Sequence, residues 1–211
     1  MFKVLNIVIL ALALVAGAAN AQFNRVGNSP SLNMSWITLD TSNSNDWQGV
    51  QITNTIPIGD SVKVFDQPFR FNVDVNAGFV KNNSLNANFG SYSVGGTAWL
   101  NDGFETKSLA IAPYFRLGVA ANSGNFISQN NSYWSYQVEP GIVVKVDNFY
   151  GLLAYNYGEG FNASNGSVVN AAVFGIGINL SKNFAVEGRY DLGYGSYDVN
   201  KLALGVTYKF W

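Results

Sequence analysis

The chain has 211 residues, about the length of one domain, with a formal net charge of −1, 12% charged and 15% aromatic residues. Its charged fraction is well below the usual ~25%, which is atypical of a soluble domain, and its scattered Lys and Arg residues exclude a basic stripe for nucleic acid. Cysteine and histidine are absent, which excludes disulfides, thiolate chemistry and the commonest general base at neutral pH.

The first 21 residues have the pattern of a secretory signal peptide. Lys3 precedes an apolar run, and Ala19 and Ala21 are spaced as in a small-x-small cleavage site. The run of roughly 13 residues is shorter than the ~20 that a membrane-spanning helix needs, which disfavours a transmembrane helix. We therefore expect a signal peptide over 1–21 and a single mature domain over 22–211.

Ten segments of the mature chain alternate apolar with small or polar residues, the period of a β-strand. In the clearest one, Phe69 to Phe79, large apolar residues occupy alternate positions, and Arg70, Asp74 and Asn76 share the other face. The predicted strands are 31–40, 47–58, 62–80, 89–100, 107–121, 133–145, 149–158, 168–180, 184–194 and 200–211. If the first segments merge or form a plug, eight strands remain.

Two kinds of connection alternate between these segments. Short ones at 59–61, 101–103, 146–148 and 181–183 carry the Gly, Asn and Asp residues typical of tight hairpins. Longer ones, rich in Asn, Ser and Gly, begin at Thr41, Lys81, Asn122 and Glu159. The pattern predicts short turns at one end of the sheet and long loops at the other.

An apolar face opposite a charged face also occurs in a soluble β-sandwich. Three features favour a membrane barrel: the number of apolar strands, the placement of nearly every mid-strand charge on one face, and the unequal connections. A sheet in a bilayer must close on itself, face lipid with apolar residues and keep polar residues inside. We therefore predict an all-β fold, a transmembrane antiparallel up-and-down β-barrel of about ten strands.

The last strand carries a family resemblance. The stretch GVTYKF, Gly205 to Phe210, resembles the C-terminal signature of Gram-negative outer-membrane β-barrels, in which a Gly precedes alternating outward aromatics. The mature chain is similar in pattern to small OmpA-like and OmpX-like barrels of the porin superfamily. It departs from that pattern at Trp211, one residue past the usual terminal Phe, and at Ala203, where a polar residue is common.

The resemblance implies a location in the bacterial outer membrane, in contact with its lipid. It also implies that the last strand closes the barrel against the first and is recognised by the barrel-assembly machinery. The residues implied as that assembly signal are Gly205, Tyr208, Phe210 and Trp211.

The resemblance also bears on catalysis, since outer-membrane enzymes of this size resemble one another in using a histidine base. Without histidine, the base would have to be a shifted carboxylate or lysine, so we do not expect an enzyme. Glu187 and Asp191 flank Arg189 closely enough to share it, and an ion-pair cluster is favoured over a catalytic dyad. We expect no cofactor, and the oxygen-rich stretch 40–46 lacks the ligand spacing of a calcium loop.

The predicted registers place four cations and four acids on the inner face. They are Arg70, Asp74, Arg116, Glu139, Glu187, Arg189, Asp191 and Lys209. Because eight to ten strands enclose a lumen that side chains largely fill, we expect a lumen closed by ion pairs. This favours a structural or surface-interaction role, with a narrow channel for ions or small solutes as the alternative.

Aromatic residues cluster near the predicted long loops. They include Phe126, Tyr133, Trp134 and Phe161. Such residues form an interfacial girdle in membrane barrels, and an alternative role is contact with an extracellular partner. A second girdle is predicted at the opposite end, from Phe149, Tyr150, Phe184, Phe210 and Trp211.

Overall fold

The computed structural model describes residues 29–41, 44–100, 104–105, 109–124, 132–161, 168–194 and 199–210. These residues form eleven strands: β1 (Ser31–Thr41), β2 (Ser44–Val64), β3 (Gln67–Asn82), β4 (Ala87–Leu100), β5 (Phe104–Glu105), β6 (Leu109–Gly124), β7 (Tyr133–Val146), β8 (Phe149–Phe161), β9 (Val168–Asn179), β10 (Phe184–Tyr194) and β11 (Val199–Lys209). The predicted signal peptide and turn 101–103, together with Phe126 and Trp211, lie outside the described residues.

Ten long strands close into one antiparallel barrel within this part of the chain. Each pairs with its neighbour in sequence, β4 pairs with β6, and β1 pairs with β11, while the two-residue β5 pairs only with β6. The predicted up-and-down barrel of about ten strands is therefore confirmed, and the eight-strand alternative is wrong because β1 and β2 both belong to the wall. No helix among the described residues has the length and apolarity required to cross a membrane.

The two ends of the barrel differ in the connections they carry. The turn end holds the start of β1, the end of β11, and the turns at Phe65–Asp66, Asp147–Asn148 and 180–183. The loop end holds the turn at 83–86 and the connections between β6 and β7, β8 and β9, and β10 and β11.

The faces of the sheet follow the two-residue period of the sequence. In β10 the outward Phe184, Val186, Tyr190 and Leu192 are exposed, and the alternate residues are buried. Those inward residues are Ala185, Glu187, Arg189 and Asp191. The wall is thus inverted relative to a soluble protein, because its exposed face is largely apolar and its enclosed face carries the charges.

One predicted turn is wrong. Residues 59–61 do not reverse the chain; β2 continues to Val64, and the third strand begins at Gln67 rather than at residue 62. The register between β2 and β3 shifts between Ile58 and Val62, and Gly59 there has a φ of 61°. Glycine serves a bulge as well as a turn, so the sequence alone did not distinguish the two.

Two of the predicted long loops are short. Thr41 pairs with Ser44 across β1 and β2, and only residues 83–86 lie between β3 and β4. The Asn- and Ser-rich stretches that begin at Thr41 and Lys81 therefore contribute mainly to strand ends. The difference in connection length between the two ends is smaller than predicted.

The turn between β2 and β3 is strained, which gives a test. Phe65 and Asp66 both have positive φ, 51° and 60°, a conformation that costs a non-glycine residue of order 1 kcal/mol or more. Asn tolerates this region better than a bulky residue, so Phe65→Asn is expected to raise the free energy of unfolding in urea. The control Val64→Asn lies in the adjoining strand and is expected to lower it. A loss of stability in Phe65→Asn would contradict the assignment of strain.

Candidate functional site

A layer of ion pairs crosses the lumen near its middle. Arg116 of β6 donates to Asp74 of β3 from two nitrogens, with Nη2–Oδ2 at 2.5 Å and Nε–Oδ1 at 2.9 Å. The exposed fractions of these side chains are 2% and 1%. This two-point contact gives both buried charges the partners they require.

A second group of charges completes the layer. Arg189 of β10 donates from Nη2 to Glu139 Oε2 of β7 at 3.0 Å and from Nε to Asp191 Oδ1 on its own strand. Tyr114 of β6 donates its hydroxyl to the other oxygen of Glu139 at 2.7 Å. These contacts join β6, β7 and β10 through one carboxylate, so the layer links β10 to two strands that are not its neighbours in the sheet.

Glu187 has a different set of partners. Its Oε1 accepts from Asn33 Nδ2 at 2.8 Å and from the Thr207 hydroxyl at 3.1 Å, and its Oε2 accepts from the Tyr150 hydroxyl at 3.4 Å. Asn33 belongs to β1 and Thr207 to β11, so this carboxylate lies beneath the seam where the barrel closes. The sequence pattern placed Glu187 beside Arg189, whereas these bonds connect it to the seam.

Glycines make room for the largest inward side chains. A Cβ atom added to Gly95 would lie 2.6 Å from Arg116 Nη2, and one added to Gly118 would lie 2.9 Å from Nη1. A Cβ at Gly177 would lie 2.5 Å from the Tyr150 ring. The space beside Gly177 is thus filled by an aromatic ring.

An apolar layer fills the lumen between the ion pairs and the turn end. It consists of Trp99, Tyr114, Val143, Tyr150, Leu152, Val173 and Ala185. All seven residues are inward-facing and buried. The lumen is therefore closed by packed rings and aliphatic groups as well as by charges.

A cavity of about 240 Å³ lies on the loop-end side of the ion-pair layer. Arg116, Glu139, Arg189 and Asp191 are among its lining residues. Ile37, Leu39 and Val80 contribute an apolar wall that belongs to a second buried cluster with Trp47, Ala87 and Ala203. Sequence reasoning missed this cluster because it treated the inner face as polar; the signal was that both faces of β1 become apolar near Ile37.

Two lysines outside the predicted set also lie on the inner face. Lys145 pairs across strands with the inward Tyr150, and Lys201 pairs with the inward Asp191. The predicted register had not counted either of them among the lumen charges.

Arg70 and Lys209 lie outside the ion-pair layer. Arg70 is half-buried near the turn end, and its Nε has no partner among the described protein atoms. Lys209 donates from Nζ to Asn179 Oδ1 at 2.6 Å. The structure thus brings together Asp74, Arg116, Glu139, Arg189 and Asp191 but places these two cations elsewhere.

The residues implied as the assembly signal lie along the seam. Asn33 Nδ2 would be 2.7 Å from a Cβ at Gly205, so only glycine leaves room for this amide. Tyr208 contacts Phe184 and Phe210 on the outer face, each with a ring-centroid distance of 5.0 Å. The backbone N–H of Phe210 donates to the carbonyl of Pro30 at 2.9 Å, which secures the end of the chain to the start of β1.

The predicted loop-end aromatics divide between the two faces. Trp134 and Phe161 lie opposite each other on the outer face, 59% and 50% exposed. Tyr133 lines the cavity instead. Tyr136 and Glu159 also line it; the Tyr136 hydroxyl donates to Glu159 at 2.7 Å, and the Tyr136 and Phe161 ring centroids are 5.3 Å apart.

Among the described residues, no group of three or more Asp, Glu, His or Cys side chains is placed to hold a metal ion.

Comparisons with known proteins find structural similarity but no sequence family. No family model and no curated protein matches the chain. Among solved structures, the chain is similar to the transport unit of the autotransporter AIDA-I from Escherichia coli, with 14% identity, 90% of this chain and 93% of that one covered, and a TM-score of 0.43. It is also similar to Neisserial surface protein A (16% identity, 86% and 96% coverage, TM-score 0.39) and to the outer membrane enzyme PagL (13%, 84% and 99%, 0.45).

These similar structures are outer-membrane β-barrels. The similarity is one of fold.

The space at Gly95 gives a matched test of the ion-pair layer. In Gly95→Ala the new methyl group would displace the Arg116 guanidinium and disturb its contact with Asp74. Such overpacking typically lowers the free energy of unfolding by about 1–3 kcal/mol. In the neighbouring Gly96→Ala the nearest atom to the new Cβ is 4.0 Å away, so little change is expected. Urea unfolding in detergent measures both variants. Equal stability of the two would show that Arg116 does not depend on this space.

Proposed function

We propose that this chain is a small integral protein of the bacterial outer membrane, with a structural or surface-interaction role and a lumen that is largely closed. Lipid of that membrane would surround the barrel, and the loop end would face outward. On this proposal the protein is exported through its cleaved signal peptide and folded by the barrel-assembly machinery.

The outer surface of the wall carries the proposal. Phe184 and Tyr194 mark the two ends of β10 on its exposed face, and ten residues of strand span about 33 Å. With a strand tilt of roughly 40°, this corresponds to an apolar band close to the ~25 Å of outer-membrane barrels. Aromatic pairs lie at both levels: Phe184 with Tyr208 at the turn end, and Tyr155 with Tyr194 toward the loop end.

Closure of the lumen is supported by two successive layers. The buried ion pairs of Arg116 and Arg189 occupy its middle, and the rings of Trp99, Tyr114 and Tyr150 occupy the turn-end side. A solute would have to displace paired charges and packed rings in turn. A closed lumen favours a role at the membrane surface, where outward aromatics such as Trp134 are available to a partner.

One observation favours the narrow channel as a second candidate. Arg70 Nε, Thr97 Oγ1 and Trp99 Nε1 are buried without a partner among the described protein atoms. Arg70 lies directly opposite Trp99 across β3 and β4. Buried polar atoms of this kind normally form hydrogen bonds with water. A chain of water molecules along this wall would link the ion-pair layer to the turn end.

The membrane location is tested by an outward residue that has no packing role. Ile176 is 75% exposed and pairs with Gly188 near the middle of β10, so Ile176→Arg would cost almost nothing in water. At the bilayer midplane the same change costs about 2–4 kcal/mol. Unfolding in lipid vesicles is expected to show this loss.

Val62→Arg is the matched control for that experiment. Val62 is also outward and half-exposed, but it lies beyond the bulge of β2 at the turn end, where the expected loss is about 0–1 kcal/mol. An equal loss in the free energy of unfolding for the two substitutions would contradict the location in a bilayer.

Conductance of the refolded protein in planar bilayers separates the two candidate functions. The closed barrel is expected to give no steady openings, because buried charge pairs and rings both block the lumen. A steady ion current in the wild-type protein would overturn the closed barrel and establish the channel. Gly96→Ala, which leaves the inner face unchanged, serves as the control for reconstitution.

A further inference from the structure

The turn-end mouth of the barrel brings three lysines to one cleft. Lys145 is the last inward residue of β7, and Lys209 is the last inward residue of β11. Lys182 lies in the turn between β9 and β10. The cleft has a volume of about 380 Å³ and is bounded by the turn at Asp147 and Asn148 and by residues 179–182. Two inner-face strand ends and one turn thus converge on the same space.

The charges of this cleft are not compensated as those of the ion-pair layer are. None of the described carboxylates forms an ion pair with Lys145, Lys182 or Lys209, whereas Arg116 and Arg189 are both paired. Asp147 is the only acid among the lining residues that the structure describes. Among the described residues, the lining of this mouth therefore has a local excess of positive charge.

The hydrogen-bonding groups are held in place and retain donors. Lys209 Nζ donates to the neutral Asn179 Oδ1 at 2.6 Å, and the backbone N–H of Asn179 is fixed by Asn148 O at 2.8 Å. An ammonium has three donors, so two remain on Lys209. The Ser181 hydroxyl accepts from the N–H groups of Asn183 and Phe184, which leaves its own proton available to a ligand.

We infer that this mouth binds a small phosphate-bearing anion, with Lys145, Lys182 and Lys209 as its cationic ligands. Converging lysines suit a group that carries more than one charge and several acceptor oxygens, as a phosphate does. Lys145 and Lys209 lie on the inner face, and lipid headgroups surround the outer face of a membrane barrel. A free phosphate compound is therefore favoured over the headgroup of a lipid.

The experiment uses the mature protein folded in a maltoside detergent, with inorganic phosphate as the probe and binding followed by calorimetry or phosphorus NMR. Saturable binding is expected in the wild-type protein. Loss of two charge-assisted contacts in Lys145→Gln with Lys209→Gln is expected to weaken binding by about tenfold or more. Lys145→Arg keeps the charge, and its affinity for phosphate is expected to lie within about 3-fold of the wild-type affinity.

Lys63→Gln is the matched control, because Lys63 is an exposed lysine at the same end that does not line the cleft. It is expected to leave phosphate binding unchanged. Heat-modifiable migration on a gel verifies that each variant is folded. The inference is overturned if folded wild-type protein shows no saturable binding, or if the double variant binds phosphate as the wild type does.

A second arm identifies the source of the phosphate group. Phosphate binding is compared in nanodiscs of phosphatidylcholine alone and of phosphatidylcholine with phosphatidylglycerol. Equal affinity in both supports a free compound. If the wild-type protein binds phosphate more weakly in the anionic discs, and the double variant shows no such difference between discs, the assignment is overturned in favour of a lipid headgroup.

Discussion

The pairing of β1 with β11 is the contact on which the rest of the structure depends. It runs from Ser31 opposite Lys209 to Thr41 opposite Val199, and it removes the free edges that an open sheet would expose. Once the sheet is closed, the number of strands sets the diameter of the lumen, and ten strands leave a space that side chains can fill. Closure therefore fixes in advance how large the inward residues can be.

Inside the barrel, the largest inward side chains lie against glycines of neighbouring strands, which have no side chain. Arg116 reaches Asp74 across β4 only because Gly95 lies beneath its guanidinium, and Gly177 leaves the space that the Tyr150 ring occupies. The enclosed charges then find partners within the same narrow space, which their burial requires. Glycine in these strands thus serves packing, and the volume it vacates is used by a side chain from a neighbouring strand.

Much of the fold was predictable from the period of the sequence. An outward residue such as Val206 and an inward one such as Thr207 differ so strongly in polarity that the face of each strand follows from alternation. The bulge after Ile58 was not predictable, since Gly59 fits a turn equally well. The pairing of Arg189 with Asp191 was predictable from their spacing on one strand. The bond between Glu139 and Arg189 was not predictable, because β7 and β10 are not neighbours in the sheet and their contact depends on strand order and tilt.

The ion-pair layer is better explained by a role in specifying the strand register than by a contribution to stability. Removing charges from water costs several kcal/mol per ion (roughly), and an apolar filling of similar shape is often at least as stable; the apolar layer around Trp99 shows that this chain also uses such a filling. A slip of one residue in β6 would turn Arg116 to the outer face and remove its contacts with the buried Asp74. We therefore interpret the charges as a constraint that penalises every register but one, in a sheet whose closure requires all ten registers to agree.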